Sequence, residues 1–333
     1  MTLRLPLVVY APAARRGGAL TVLRDALLLL EMKGHPVTVV TTREAADSLM
    51  EVKDQRMVVL KDGGRLGQLV EDFVMAPRLI KQMYPDGARV ICLSNRAVRL
   101  GKRYVQHVLV HNPFAILRQT PRGITRTKTT LFYTKFYPSL LTTNFRKRHF
   151  YYVQRPSLAR HLRQNYSHVS KVRIISPVVS ASFIRALEEP CQMSTNAKFV
   201  FCPLSANPHK NLSLLAKVAP DLAQEGLRIV VTVTPEEWKS HTSAGVPSGV
   251  DCIGRIGMNE MADYYRTAQA MIFPSLLETA GLPLLEAQAA GCKIIASDMD
   301  FTHDLLANSP LLTVFDPTQP SALIQAVRFS LFS

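Results

Sequence analysis

At 333 residues and 47% hydrophobic content, the chain is long enough to bury two separate domain cores. Forty Lys and Arg against 25 Asp and Glu leave a net charge of +15, with no acidic residue between Asp86 and Glu188, so the first half attracts an anion: nucleic acid, acidic phospholipid or a phosphorylated lipid acceptor. Five scattered Cys (Cys92, Cys191, Cys202, Cys252, Cys292) without a CxxC pair argue against a disulfide framework or zinc site and for a reducing compartment, and no apolar run of about 18 residues offers a transmembrane helix.

In chain order, Leu5–Tyr10 reads as a first core strand and not as a signal peptide, because its small-residue segment precedes Arg15-Arg16. A loop, a helix over 19–33 closed by Gly34 and a strand at Val37–Thr41 follow, the opening of a doubly wound sheet. Gly17 and Gly18 at the helix start let backbone approach a ligand, although Gly-Gly turns are common and the spacing is not GxGxxG. Met57–Leu60, Arg89–Ser94 and His107–His111 read as further strands. His111 falls at a strand end, either as a capping or packing residue or as a ligand-edge side chain.

From Thr120 to Arg148, Lys and Arg interleave with Phe132, Tyr133, Phe136, Tyr137 and Phe145. This pattern suits a core helix with a solvated basic face, an amphipathic segment on an anionic membrane, or a stacking surface for single-stranded nucleic acid. A strand at 149–154, a helix at Pro156–Gln164 and a strand at Val172–Ile175 complete this half. Pro177 and Pro190 then break the pattern, giving an N-terminal domain over 1–180, a linker at 181–197 and a C-terminal domain over 198–333.

Phe199–Cys202 starts the second sheet, and Lys210 with Asn211 begins the next helix, where a Lys either reaches a phosphate or is simply solvated. Strands follow at Leu227–Val233 and Cys252–Ile256. Met271–Phe273, a turn through Gly281, a helix opened by Pro283 and closed by Gly291, and a strand at Lys293–Ser297 make one βαβ unit. Pro320–Phe329 reads as a last helix. Glu278 in the turn and Glu286 one turn into the helix lie near the carboxyl end of a strand, beside a helix start that favours phosphate. Two carboxylates there suit a ligand carrying both hydroxyls and phosphates; alternatively one is a solvated helix-start Glu and the other an unrelated loop residue.

Glu278-Thr279-Ala280-Gly281-Leu282-Pro283-Leu284-Leu285-Glu286 is similar to the Glu, seven residues, Glu signature of glycosyltransferase family 4, and the flanking CIGRIGMNEMADYYRTAQAMIFPS and AGCKIIASDMDFTHDLL resemble that family's lead-in and exit. The resemblance is specific from about Phe199 to Asp304. It implies an α/β, GT-B fold of two Rossmann-like doubly wound domains facing across a cleft. It also implies a retaining hexosyltransferase that moves a sugar from a nucleotide-diphosphate sugar to a glycan or lipid-linked glycan, as in lipopolysaccharide, capsule or other surface polysaccharide synthesis.

By the same resemblance Glu278 meets hydroxyls of the donor sugar, Glu286 the nucleotide ribose, and the N–H groups of Thr279, Ala280, Gly281 and Leu282 the sugar and phosphate. Lys210 stabilises the departing diphosphate, Gly17 and Gly18 face it from the other domain, His111 stands near the donor sugar, and Arg255 lies on the loop that holds the base. Neither a metal nor another cofactor is implied. Two positions depart from the pattern: Ala280 replaces a usual aromatic, and Ser205 replaces a usual Arg, leaving His209 or Arg255 to supply the second cation. The crossing helix that usually ends such chains is expected to be absent or short. Absence of a transmembrane span with a basic first domain suggests a cytoplasmic protein, peripheral at the inner face of the plasma membrane, with no nucleic acid partner. The competing readings are a GT-B sugar-nucleotide epimerase and a basic nucleic-acid-binding protein, the latter marked by binding that falls steeply with salt.

Overall fold

The computed structural model describes residues 5–12, 14, 18–32, 34, 36–49, 55–60, 71–118, 123–124, 131–193, 198–242 and 244–332. The chain divides into two compact units, the first made of Met1–Arg118, Phe132–Gln154 and Leu158–Ile175, the second of Gln119–Leu131, Arg155–Ser157 and Ser176–Ser333.

The first unit holds strands β1 (Leu7–Tyr10), β2 (Val37–Thr42), β3 (Gln55–Leu60), β4 (Arg89–Cys92), β5 (Val105–Leu109), β6 (Phe150–Val153) and β7 (Lys171–Ile174). They form one sheet in the order β3-β2-β1-β4-β5-β6-β7, with every pair parallel. Side-chain alternation sends Val8, Tyr10, Val90, Cys92, Val108 and Tyr151 into one core and Val9, Val37 and Val39 into another on the opposite face. Phe145 is in the core, whereas Phe132 and Phe136 are exposed on a turn, Phe132–Phe136, that leads into helix Tyr137–Thr142. The described part of the aromatic-basic segment is therefore split between core and solvent, and residues 120–122 and 125–130 lie outside the described residues.

The second unit holds β8 (Phe199–Cys202), β9 (Arg228–Val231), β10 (Val250–Cys252), β11 (Ala270–Phe273), β12 (Ile294–Ser297) and β13 (Leu312–Phe315). Their order is β10-β9-β8-β11-β12-β13, again parallel throughout. Val200, Ile229, Ile272 and Ile295 enter one core, and Phe201, Val230, Phe273 and Ile294 the other. Apolar strands such as FVFC and AMIF, buried along their whole length, are what a doubly covered parallel sheet requires. The order reverses between β8 and β11, and the carboxyl ends of the strands at such a switch point are where open α/β sheets bind ligands.

Residues 181–197, read as a linker, are in part a folded element of the second unit. Helix Ala181–Glu188 is capped by Ser180, whose Oγ accepts from the Phe183 N–H at 3.2 Å, and it buries Phe183 and Ala186. Arg266 closes its far end by donating to the carbonyls of Leu187 (3.0 Å) and Glu189 (2.8 Å). The flanking prolines punctuate this helix without forming a spacer. The final helix, Pro320–Phe332, puts Leu323, Ala326 and Val327 into the second core.

Candidate functional site

The site of the second unit grows from its switch point. After β8 the chain makes a short turn, Pro208–Lys210, and Asn211 takes a left-handed conformation (φ 58°) before helix Leu212–Gln224 begins. After β11 the loop 274–281 runs into helix Leu282–Ala289, with Gly281 left-handed at φ 63°. The Leu276 N–H donates to the His209 carbonyl at 2.8 Å, fastening the two loops together. This places the ammonium of Lys210 against Oε1 of Glu278, with each side chain 12% exposed. Lys210 Nζ also lies 5.3 Å from the centre of the Phe273 ring, a favourable position for a cation.

Glu286 sits one turn into helix Leu282–Ala289, and the hydroxyl of the buried Tyr265 lies 3.1 Å from its Oε2. Burial raises the Glu286 pKa, and the Tyr265 hydrogen bond opposes that rise. Burial also pushes the Tyr265 hydroxyl well up, so it remains a donor. The N–H groups of Thr279, Ala280 and Gly281 have no hydrogen-bond partner among the described residues. Leu282 is exposed at the first position of the helix, and Arg255 is exposed on the bend after β10, at the same edge of the sheet. Lys210 and Glu278 are thus paired on the two loops leaving β8 and β11, the Thr279–Leu282 backbone follows Glu278, and Glu286 stands one turn along the next helix against Tyr265.

His209 does not supply the second cation. Burial, with the Lys210 ammonium adding to it, brings its pKa down to about 4, so it is neutral near pH 7. Ser205 is exposed and accepts from Asn207 Nδ2 at 2.9 Å. The cation that the motif itself does not reveal is Arg155, which belongs to the second unit and whose side chain is 3% exposed. Its Nε donates to the Thr279 carbonyl at 2.7 Å, Nη2 donates to the Glu278 carbonyl, and Nη1 lies 3.1 Å from Asp304 Oδ2. Arg155, Asp304 and Tyr265 escaped sequence reasoning. Arg155 directly follows a segment legible as a strand, a position that signals a ligand edge; Tyr265 carries no such signal.

In the first unit His111 lies two residues beyond β5. Its N–H donates to Asn95 Oδ1 at 2.6 Å and its Nε2 lies 3.3 Å from Asn95 Nδ2, with Asn95 held in a left-handed conformation (φ 63°). Burial lowers the His111 pKa, favouring a neutral ring. Gly18 opens helix Gly18–Met32, and Gly17 lies outside the described residues.

Residues 197–331 match the sequence model of glycosyl transferases group 1. A curated relative, the O-antigen chain mannosyltransferase RfbU of Salmonella typhimurium, is 34% identical over 62 residues, a match spanning 19% of this chain and only 18% of the relative. Among solved structures, sucrose-phosphate synthase from Thermosynechococcus elongatus superposes with a TM-score of 0.71 at 17% identity, covering 99% of this chain and 90% of that one. WaaG, a glycosyltransferase of lipopolysaccharide biosynthesis, gives 0.68 at 14% identity, covering 98% and 90%. Anabaena HepE, solved with UDP and glucose, gives 0.62 at 14% identity, covering 98% and 89%. These likenesses show the fold, the two doubly wound parallel sheets of the GT-B glycosyltransferases.

Proposed function

We propose that this protein is a retaining glycosyltransferase that takes a nucleotide-diphosphate sugar as donor and a glycan, lipid-linked or free, as acceptor in surface-polysaccharide synthesis. The observation that carries the proposal is the pairing of Lys210 with Glu278 at the switch point, beside the Thr279–Gly281 N–H groups and within the segment that matches glycosyl transferases group 1. The O-antigen mannosyltransferase match and the WaaG likeness support the polysaccharide context.

In this reading the donor phosphates draw on the Lys210 ammonium, leaving the Glu278 carboxylate to accept hydrogen bonds from sugar hydroxyls. Glu286, held by Tyr265, accepts from ribose hydroxyls. The bond from the anomeric carbon to the β-phosphate oxygen breaks as the acceptor oxygen bonds that carbon from the same face. The acceptor proton passes to the departing phosphate oxygen, and Lys210 with the loop N–H groups stabilises the diphosphate. Each such preorganised donor contributes about 10²–10³-fold. Arg255, exposed on the bend after β10, adjoins the base. No metal or other cofactor is required.

The basic first unit, with Phe132 and Phe136 exposed near Lys135, supports peripheral attachment to an anionic membrane face. No helix among the described residues is long and apolar enough to cross a membrane. Time-resolved NMR of the sugar released or transferred from an α-linked donor tests the reaction. An α product formed first is expected; a β product formed first contradicts retention, and no cleavage of any nucleotide sugar with any glycan contradicts the activity.

A further inference from the structure

Arg155–Ser157 is a three-residue piece of chain within the second unit, and Arg155 spends nearly every donor of its guanidinium inside it. Nε bonds the Thr279 carbonyl, Nη2 the Glu278 carbonyl, and Nη1 both Asp304 Oδ2 and Ser157 Oγ at 3.1 Å. Asp304 is held in turn, since its Oδ2 accepts from the Ser157 N–H (3.1 Å) and hydroxyl. The guanidinium carbon stands 5.8 Å from the Phe301 ring centre. Burial pulls the Arg155 pKa down, and the Asp304 and Glu278 carboxylates pull it back up, which keeps this enclosed group charged.

The two accepting carbonyls are consecutive. Each peptide is planar and trans, so a carbonyl turned toward Arg155 forces the N–H of the same peptide to the opposite side. Those N–H groups are the ones of Thr279 and Ala280, which have no partner among the described residues. A forked, rigid cation can hold two adjacent peptide planes at once, as a Lys ammonium at the same place cannot.

We propose that Arg155, locked by Asp304, is a positioning residue that fixes the Glu278–Thr279 and Thr279–Ala280 peptides so that their N–H groups face the donor's sugar and phosphate. This inference rests on the second unit being the donor site. It also accounts for the cation missing at Ser205: a buried charge behind the loop orients backbone donors in place of a second charge in front of it.

The test uses the full chain, titrated calorimetrically with UDP-glucose, GDP-mannose and ADP-glucose, and followed by amide hydrogen exchange across residues 276–284. Wild type is expected to bind one of the three and to protect the Thr279 and Ala280 amides on binding. Arg155→Lys and Asp304→Asn are expected to lose that protection and about 10²-fold in donor affinity or kcat/KM. Added guanidinium ion is expected to restore part of the loss in Arg155→Ala. Folded variants with unchanged affinity and protection overturn the positioning role while leaving the donor site intact. A wild type that binds none of the three donors overturns both readings. Should Arg155→Lys fail to fold, Asp304→Asn carries the same test with the guanidinium in place.

Discussion

Gly281 joins the loop to the helix, and replacing it with Ala separates two physical costs. At φ 63° an L side chain is strained by about 1 kcal/mol. The new Cβ also stands 2.7 Å from Leu305 Cδ1, too close to persist. Because Leu305 Cδ1 is the mobile end of a side chain, the contact sits at the low end of overpacking costs, about 1 kcal/mol. Gly291→Ala supplies the control: its φ is 70°, yet nothing lies within 4 Å of its Cβ, so only the backbone cost applies. We expect Gly281→Ala to lose about 2 kcal/mol and Gly291→Ala about 1, or about 4–8 °C and 2–4 °C in Tm for a domain of this size. Gly281→Ala should also lose donor affinity, since the displaced loop carries Thr279 and Ala280. Equal Tm losses in the two variants, measured by calorimetric melting, refute the Leu305 contact. Unchanged donor binding in a destabilised Gly281→Ala refutes the link between loop and ligand.

Glu286 gives a pH signature. Its folded pKa is raised, so the folded state holds that proton more tightly than the unfolded chain, and stability falls as pH rises through the window between the two values. Glu286→Gln is therefore expected to melt higher than wild type at neutral pH and to lose that advantage below about pH 4; melting curves showing the opposite trend contradict the assignment. Lys210→Ala and Glu278→Ala each strand one partner of a nearly enclosed pair and should cost about 1–3 kcal/mol, less in the double variant than the sum, by denaturant titration. Both should remain folded and lose at least about 10²-fold in turnover, and near-wild-type turnover in either contradicts the site. Phe132→Ser with Phe136→Ser is expected to reduce flotation with phosphatidylglycerol vesicles; wild-type protein that does not float at all contradicts membrane attachment.

The strands were legible because a parallel sheet covered on both faces writes itself as short apolar runs, and FVFC, RIVV, AMIF and IIAS read plainly. The placing of Glu278 in the turn after β11 and of Glu286 one turn into the following helix was legible because the signals that set it, Pro274, Gly281 and Pro283, are local. What sequence could not show was long-range. Arg155 meets Glu278, Thr279 and Asp304 across more than a hundred positions of chain, and Tyr265 reaches Glu286 from another helix. The neutrality of His209 depends on burial, which its neighbours in sequence do not reveal. Helix Ala181–Glu188 was hidden because prolines on either side outweighed a short apolar period, although Ser180 is a proper cap.

The most direct measurement is calorimetric titration of wild type and Glu286→Ala with UDP, GDP, ADP and CMP and their sugars. Wild type is expected to bind one nucleotide family, and Glu286→Ala to lose most of that affinity while melting as a folded protein. Binding of no nucleotide by wild type, or equal binding by Glu286→Ala, contradicts a nucleotide-sugar site at the β8–β11 switch point.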